Sequence, residues 1–446
     1  MDNLRKEPTL MKKILSVILA SLFIISAAVS CADKKAAESE SAEAIAEEAS
    51  SYAESSDKGS DKLPIPDPVK VLDTDTSILH DFYINISKAL VNSADGKNVL
   101  YSPVNVFAAL AILAEAASGN TEAELLSLIG TDSVEKAGSA YYTLYNKVSK
   151  DSEEANLLLG SSLWLNENYT HREDCAELIA DRYFADIFSG NFADSAFTDS
   201  LKSWLSRKTN GFLDGQTDKV KLPTDTVASI VTSLYFKDTW YEGFNEKATK
   251  EDTFYTPEGT VDCDFMNRSF TGTYYEGDSF KAIALSFSKT GRMTLVIPEV
   301  GTEPASLLEN GDVTSLLYHG IGETTASPHY AQIKLSLPKF DLTYKTELKE
   351  ILQSLGVRDV FSQMDADLSD LCKSPAFVSS ILHIVRLKID EEGGEGAAAT
   401  VVTMAPTSMA PPEKKIELNF NRPFLFSLTS LEGEPLFTGI VNDPTK

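Results

Sequence analysis

Residues 390–415 read DEEGGEGAAATVVTMAPTSMAPPEKK, small and polar side chains set between two strongly apolar segments. So long and bland a connection in a core-rich chain asks for a reason. Before it stands FVSSILHIVRLKID (377–390), and after it RPFLFSLTS and EPLFTGIV; all three carry strand signals. Further strand-like runs are NLLLGSSLWLN (156–166), TVASIVTSLYFKDTW (226–240), FKAIALSFSK with RMTLVIPEV (280–299), and AQIKLSLPKFDLTYK (331–345). Between them lie the helical stretches DCAELIADRYFADI, DSLKSWLSRKTNG and TELKEILQSLG.

Two helices precede these elements. TSILHDFYINISKALVNSA spaces Ile78, Phe82, Ile86 and Leu90 as an amphipathic opening helix would. SPVNVFAALAILAEAASGNT offers Pro103 for the first turn and Gly119 for the stop. Helices and strands are grouped irregularly, so the fold class is α+β rather than doubly wound, in one intertwined domain.

Composition excludes some functions. Lys and Arg number 40 against 66 Asp and Glu, a net charge of −26, so the chain would repel a nucleic-acid backbone. The segment from Met11, MKKILSVILASLFIISAAVSC, has a basic start, a short apolar run and small residues before Cys31. It reads as an export signal over residues 1–31, with Met11 as the natural start. Ala28–Cys31, AVSC, resembles a lipobox, so Cys31 is the expected lipidation site, with simple secretory cleavage near Ala32 as the alternative. Residues 32–67, rich in Ala, Ser and Glu, read as a disordered acidic tether spanning about 30–35 Å.

Cys175, Cys263 and Cys372 are scattered singly, which implies no disulfide framework. His171 and Cys175 stand four apart but lack a third ligand nearby, so no metal is expected. No GxSxG, HExxH, CxxC or GxxxxGK[ST] occurs, and Glu391 and Glu392, adjacent on a strand, would point to opposite faces. Neither an enzyme nor a cofactor is expected.

From residue 68 to its end the chain resembles a serpin. NVLYSPVNVFAALAILAEAASGNTEAEL, WLSRKTNGFLDG, LYFKDTWYEGF, SLPKFDLTY, DADLSDL, IDEEGGEGAAAT and NRPFLFSL…LFTGIV follow in the family's order. The resemblance implies one domain (68–446) with three β-sheets, eight or nine helices and an exposed reactive centre loop at about 392–412. It implies a metastable, monomeric inhibitor that traps a serine protease as a covalent complex.

The loop's blandness then has a physical reason. In a strand alternate side chains share a face, so Gly394, Gly396, Ala398 and Thr400 would pass inward when the cut loop joins a packed sheet. A charge or proline there would cost several kcal/mol. Glu395, the one charge between Gly394 and Thr403, falls in the outward set. The hinge is Glu392, Gly393, Gly394, Glu395, Gly396, Ala397, Ala398, Ala399 and Thr400.

Counting fifteen residues from Gly393 puts the reactive bond at Thr407–Ser408; counting back from the Pro-Pro-Glu at 411–413 gives Ser408–Met409, and Met404 and Ala405 are near neighbours. Without Arg or Lys between Glu395 and Pro412, the expected prey is elastase-like, with subtilisin-like proteases next. A non-inhibitory serpin-like surface binding or chaperone protein is the alternative.

The resemblance puts Trp240 at the breach, and Ser102, Asn105, Thr232 and Ser336 in the shutter beneath the parting sheet. Asn105, Thr232 and Ser336 stand where the family commonly has Ser, Asn and His. Either Asn105 replaces the lost amide opposite Thr232, or the changes are independent and neutral. Gly394 and Gly396 replace the more usual Thr and Ala, which keeps the hinge small and makes it more flexible.

Overall fold

The computed structural model describes residues 76–217, 220–222, 224, 226–319, 324–394 and 414–446. Cys31, Glu395–Thr400, Thr407 and Ser408 lie outside the described residues.

The centre is helix Pro103–Glu115, PVNVFAALAILAE, apolar on nearly every side and buried along almost its whole length. A helix of that composition can exist only with structure all round it. Ser102 caps it by accepting a hydrogen bond from Asn105 N at 3.4 Å. The helix ends at Glu115, and Gly119, with φ +61°, opens the next helix, Gly119–Leu128, instead of marking the stop.

On one side lies a seven-stranded sheet, ordered Phe340–Glu347, Leu382–Ile389, Gly393–Gly394, Ala228–Thr239, Asn156–Asn166 and Lys150–Asp151, with Ala185–Gly190 also pairing to Asn156–Asn166. A second body of nine strands has two parts. In one, Lys250–Thr256, Gly259–Glu276, Ser327–Pro338 and Lys415–Asn419 pair along their lengths. In the other, Phe280–Ser286, Gly291–Pro298, Phe424–Ser430, Pro435–Val441 and Val99–Tyr101 do so. Only the pairs Tyr275↔Ala282 and Glu276↔Lys281 join these parts. The α+β class and the three sheets are therefore as expected, with eight α-helices among the described residues.

The run 331–345 divides at Lys339. Ser327–Pro338 belongs to the second body and Phe340–Glu347 to the seven-stranded sheet. Pro338 has no N–H to continue a ladder, and the chain crosses between sheets where Lys339 N bonds Asp264 O. Likewise FVSSILHIVRLKID pairs only from Leu382 onward.

Candidate functional site

The strands Ala228–Thr239 and Leu382–Ile389 flank an interval in the seven-stranded sheet. They are joined at its top by a two-residue strand alone: Gly393 pairs with Thr239, and Gly394 with both Asp238 and Ile389. Below Gly394, among the described residues, no backbone pair links the two directly. Two glycines thus begin a strand between neighbours spread to receive one.

The top is held by a tight turn. Asp390 Oδ1 accepts from Glu392 N and Gly393 N, and Asp390 N bonds Gly393 O. Trp240, at the expected breach, is buried; its backbone N donates to Glu392 O at 2.8 Å and its Nε1 to Asp390 O at 2.9 Å, while its ring stacks on Phe287. Beside it Glu391 accepts from Thr249 Oγ1 at 2.6 Å, and Lys339 Nζ lies 3.1 Å from its other oxygen. Burial pushes this carboxyl up, but the bonds from Thr249, its own backbone and Lys339 outweigh that and hold it below its ordinary range.

The glycines are required by contact. Gly393 has φ +150°, and a Cβ there would lie 2.2 Å from Asp238 O. A Cβ on Gly394 would lie 2.3 Å from the Phe236 ring, which packs against Phe287 and Phe437. Gly394 therefore faces the core, the phase expected of the hinge. Its departure from the usual threonine matches the size of Phe236.

Deeper in the interval the structure gathers Ser102, Asn105 and Thr232 but not Ser336. Thr232 Oγ1 donates to Asn105 O at 3.4 Å, so the backbone carbonyl and not the side-chain amide faces Thr232. Asn105 Nδ2 and Ser233 Oγ are buried without a hydrogen-bond partner among the described residues. Ser336 sits in the other body, paired with Asn267 and Asn419. The missing histidine is His383: buried on strand Leu382–Ile389, its Nε2 accepts from Ser102 N at 3.1 Å. Burial lowers its pKa to about 4, so the ring is neutral near pH 7. Its signal in sequence is faint, a polar residue in phase with Val385, Leu387 and Ile389.

At the foot of the interval lies a mainly apolar cavity of about 150 Å³, lined by Leu113, Ile230, Thr232, Cys372, Leu382 and Ile384 among others. Across its outer face, Arg386 makes a bidentate pair with Asp341, donates to Phe212 O at 2.8 Å and stacks on the Phe212 ring, which also meets Tyr235 edge-on. The residues weighed as metal ligands are engaged elsewhere: His171 Nε2 lies 2.9 Å from Asn166 O, and Cys175 Sγ faces Glu115 O.

Fold and interval together define a protein in whose main sheet, among the described residues, two long strands are joined only through a two-residue strand. The family model Serpin (serine protease inhibitor) matches residues 77–444, and the chain belongs to the serpin family. It is 30% identical to sheep (Ovis aries) alpha-1-antiproteinase over 379 residues, 82% of this chain and 88% of that protein. It is 29% identical to the plasma serine protease inhibitor of Bos taurus over 375 residues, 82% of this chain and 90% of the relative. Among solved structures, the thermophilic serpin tengpin in its native state superposes with a TM-score of 0.72 at 27% identity, covering 82% of this chain and 94% of tengpin. Tengpin in its latent state gives 0.67 at 26% identity, covering 82% and 97%.

Proposed function

We propose that the chain is a suicide-substrate inhibitor of serine proteases, elastase-like ones first and subtilisin-like next. The observation that carries this is the two-glycine strand at the top of an interval that is otherwise unpaired among the described residues. Continuing its register sets Gly396 between Phe236 and Leu387, Ala398 between Leu234 and Val385, and Thr400 between Thr232 and His383. Each inward position from Gly394 to Thr400 is then small, and the Thr400 hydroxyl arrives beside the unpartnered amide of Asn105.

The chemistry belongs to the protease. Its serine oxygen attacks the Thr407 carbonyl, the Thr407–Ser408 peptide bond breaks, and the amine of Ser408 leaves with a proton. The resulting ester travels with residues 394–407 as they enter the interval. Main-chain bonds worth about 0.5–1.5 kcal/mol each drive that entry, and distortion of the protease's site leaves the ester unhydrolysed. Export with lipidation at Cys31 would place the inhibitor, as a monomer on an acidic tether, at a bacterial cell surface.

Incubation with pancreatic elastase tests the reading. The expected product is an SDS-resistant band at the combined mass. Clean cleavage by elastase and by subtilisin, with no adduct, would overturn inhibition and favour a serpin-like surface binding protein.

A further inference from the structure

On the outer face of the interval, one row below the glycine pairs, stand two lysines. The register gives Lys237 on one flank and Lys388 on the other, each one residue beyond the partners of Gly394. Both face outward. Phe236 and Asp238 alternate with Lys237 and are buried, as are Leu387 and Ile389 beside Lys388. The next row down, Tyr235 and Arg386, converges on Phe212 and so fixes which side is outer.

The two lysines differ in what they already hold. Lys388 Nζ lies 2.9 Å from Asp390 Oδ2. Asp341, opposite Lys388 in register, is committed to Arg386 by two bonds. Lys237 makes no ion pair among the described residues, and its other neighbour in register is the neutral Asn156. The row thus carries two positive charges, one of them uncommitted.

We propose that Lys237 and Lys388 form an electrostatic seat that receives the carboxylate of Glu395 when the loop enters the sheet. This rests on the insertion reading above. The occupant is fixed by position, because the residue following Gly394 in the same strand is Glu395. Directly opposed side chains on neighbouring strands have Cβ atoms about 4.5–5.5 Å apart, within reach of both lysine stems. Charge agrees with position: the only ionisable residue between Gly394 and Thr403 comes to the one row flanked by two lysines. The seat explains why a loop otherwise stripped of charge keeps a carboxylate, and why it stands first behind the glycines, where pairing begins.

A charge exchange tests the proposal, with elastase or subtilisin as the nicking protease. The readouts are the rise in Tm on nicking and the share of chains captured as covalent complex. Glu395→Lys and Lys237→Glu should each reduce the Tm rise by roughly 2–4 °C and lower the captured share at least twofold. The chain carrying both should recover, and 1 M salt should shrink the differences. Lys388→Gln and Lys237→Gln, which change charge without reversing it, should fall between wild type and the reversed chains. The seat is overturned if the double exchange is no better than the sum of its single changes while the wild type still rises in Tm and captures protease. Absence of both in the wild type overturns the insertion reading instead, and the seat with it.

Discussion

Gly394 and His383 carry opposite lessons about what one residue can announce. Gly394 belongs to an alternating set of small residues, and alternation is local, so its inward phase could be read directly from the chain. Its partner could not, because Phe236 lies far away in sequence and meets it only through strand pairing. Gly394→Thr should lower the stability of the uncut protein by about 1–3 kcal/mol, and Phe236→Leu in the same chain should recover part of that, as thermal melts would show. His383 was hidden for a related reason: family patterning drew attention to Ser336, whereas only the folded sheets bring Ser102 N and the imidazole together. Its pH behaviour follows from burial. With a pKa of about 4 when folded and about 6.5 when unfolded, the unfolded chain binds more protons between these values. The contribution is therefore fully present above pH 6.5 and is lost as pH falls toward 4. His383→Asn should flatten this part of the stability profile, measured by denaturant titration at several pH values.

Among the elements, the strand Asn156–Asn166 was legible to its ends, because two apolar triplets, Leu157–Leu159 and Leu163–Leu165, lie in a stretch bounded by Asn156 and Asn166. The hairpin Lys250–Thr256 and Gly259–Glu276 was missed; its strands expose much of their length, so their polar residues mask the alternation. Gly119 was misread because a glycine with positive φ serves equally to end one helix or to start the next. The turn after helix Ser195–Lys208 supplies a prediction of its own. Tyr235 and Arg386 flank the place that Ala397 would take, with Phe212 above them. On the proposed reading, Ala397→Trp should therefore stall insertion and turn capture into plain cleavage, visible as cleaved chain replacing the covalent band, with the Tm of the uncut protein unchanged.

For the molecule as a whole, the proposed insertion requires that the uncut form not be the most stable arrangement of the chain, with the interval below Gly394 unpaired among the described residues. Nicking at the loop should raise Tm by roughly 10 °C or more, as a ladder closes on both sides of about ten residues; identical melting of cut and uncut protein would remove the basis for inhibition. The overall architecture was readable because seven motifs recur in order, but the third sheet's junction with the second, two residue pairs wide, leaves no mark in the chain. The strand Lys415–Asn419 has a further consequence. It begins where the loop ends and is held in parallel to Ser327–Pro338 by five register pairs. An unsevered loop is moored at both ends, so it can enter the interval only if this edge strand unzips. If the loop is the bait proposed above, the same short ribbon is a safety catch against self-disarming, and the protein's shelf life should be set by how tightly five residues grip their neighbour.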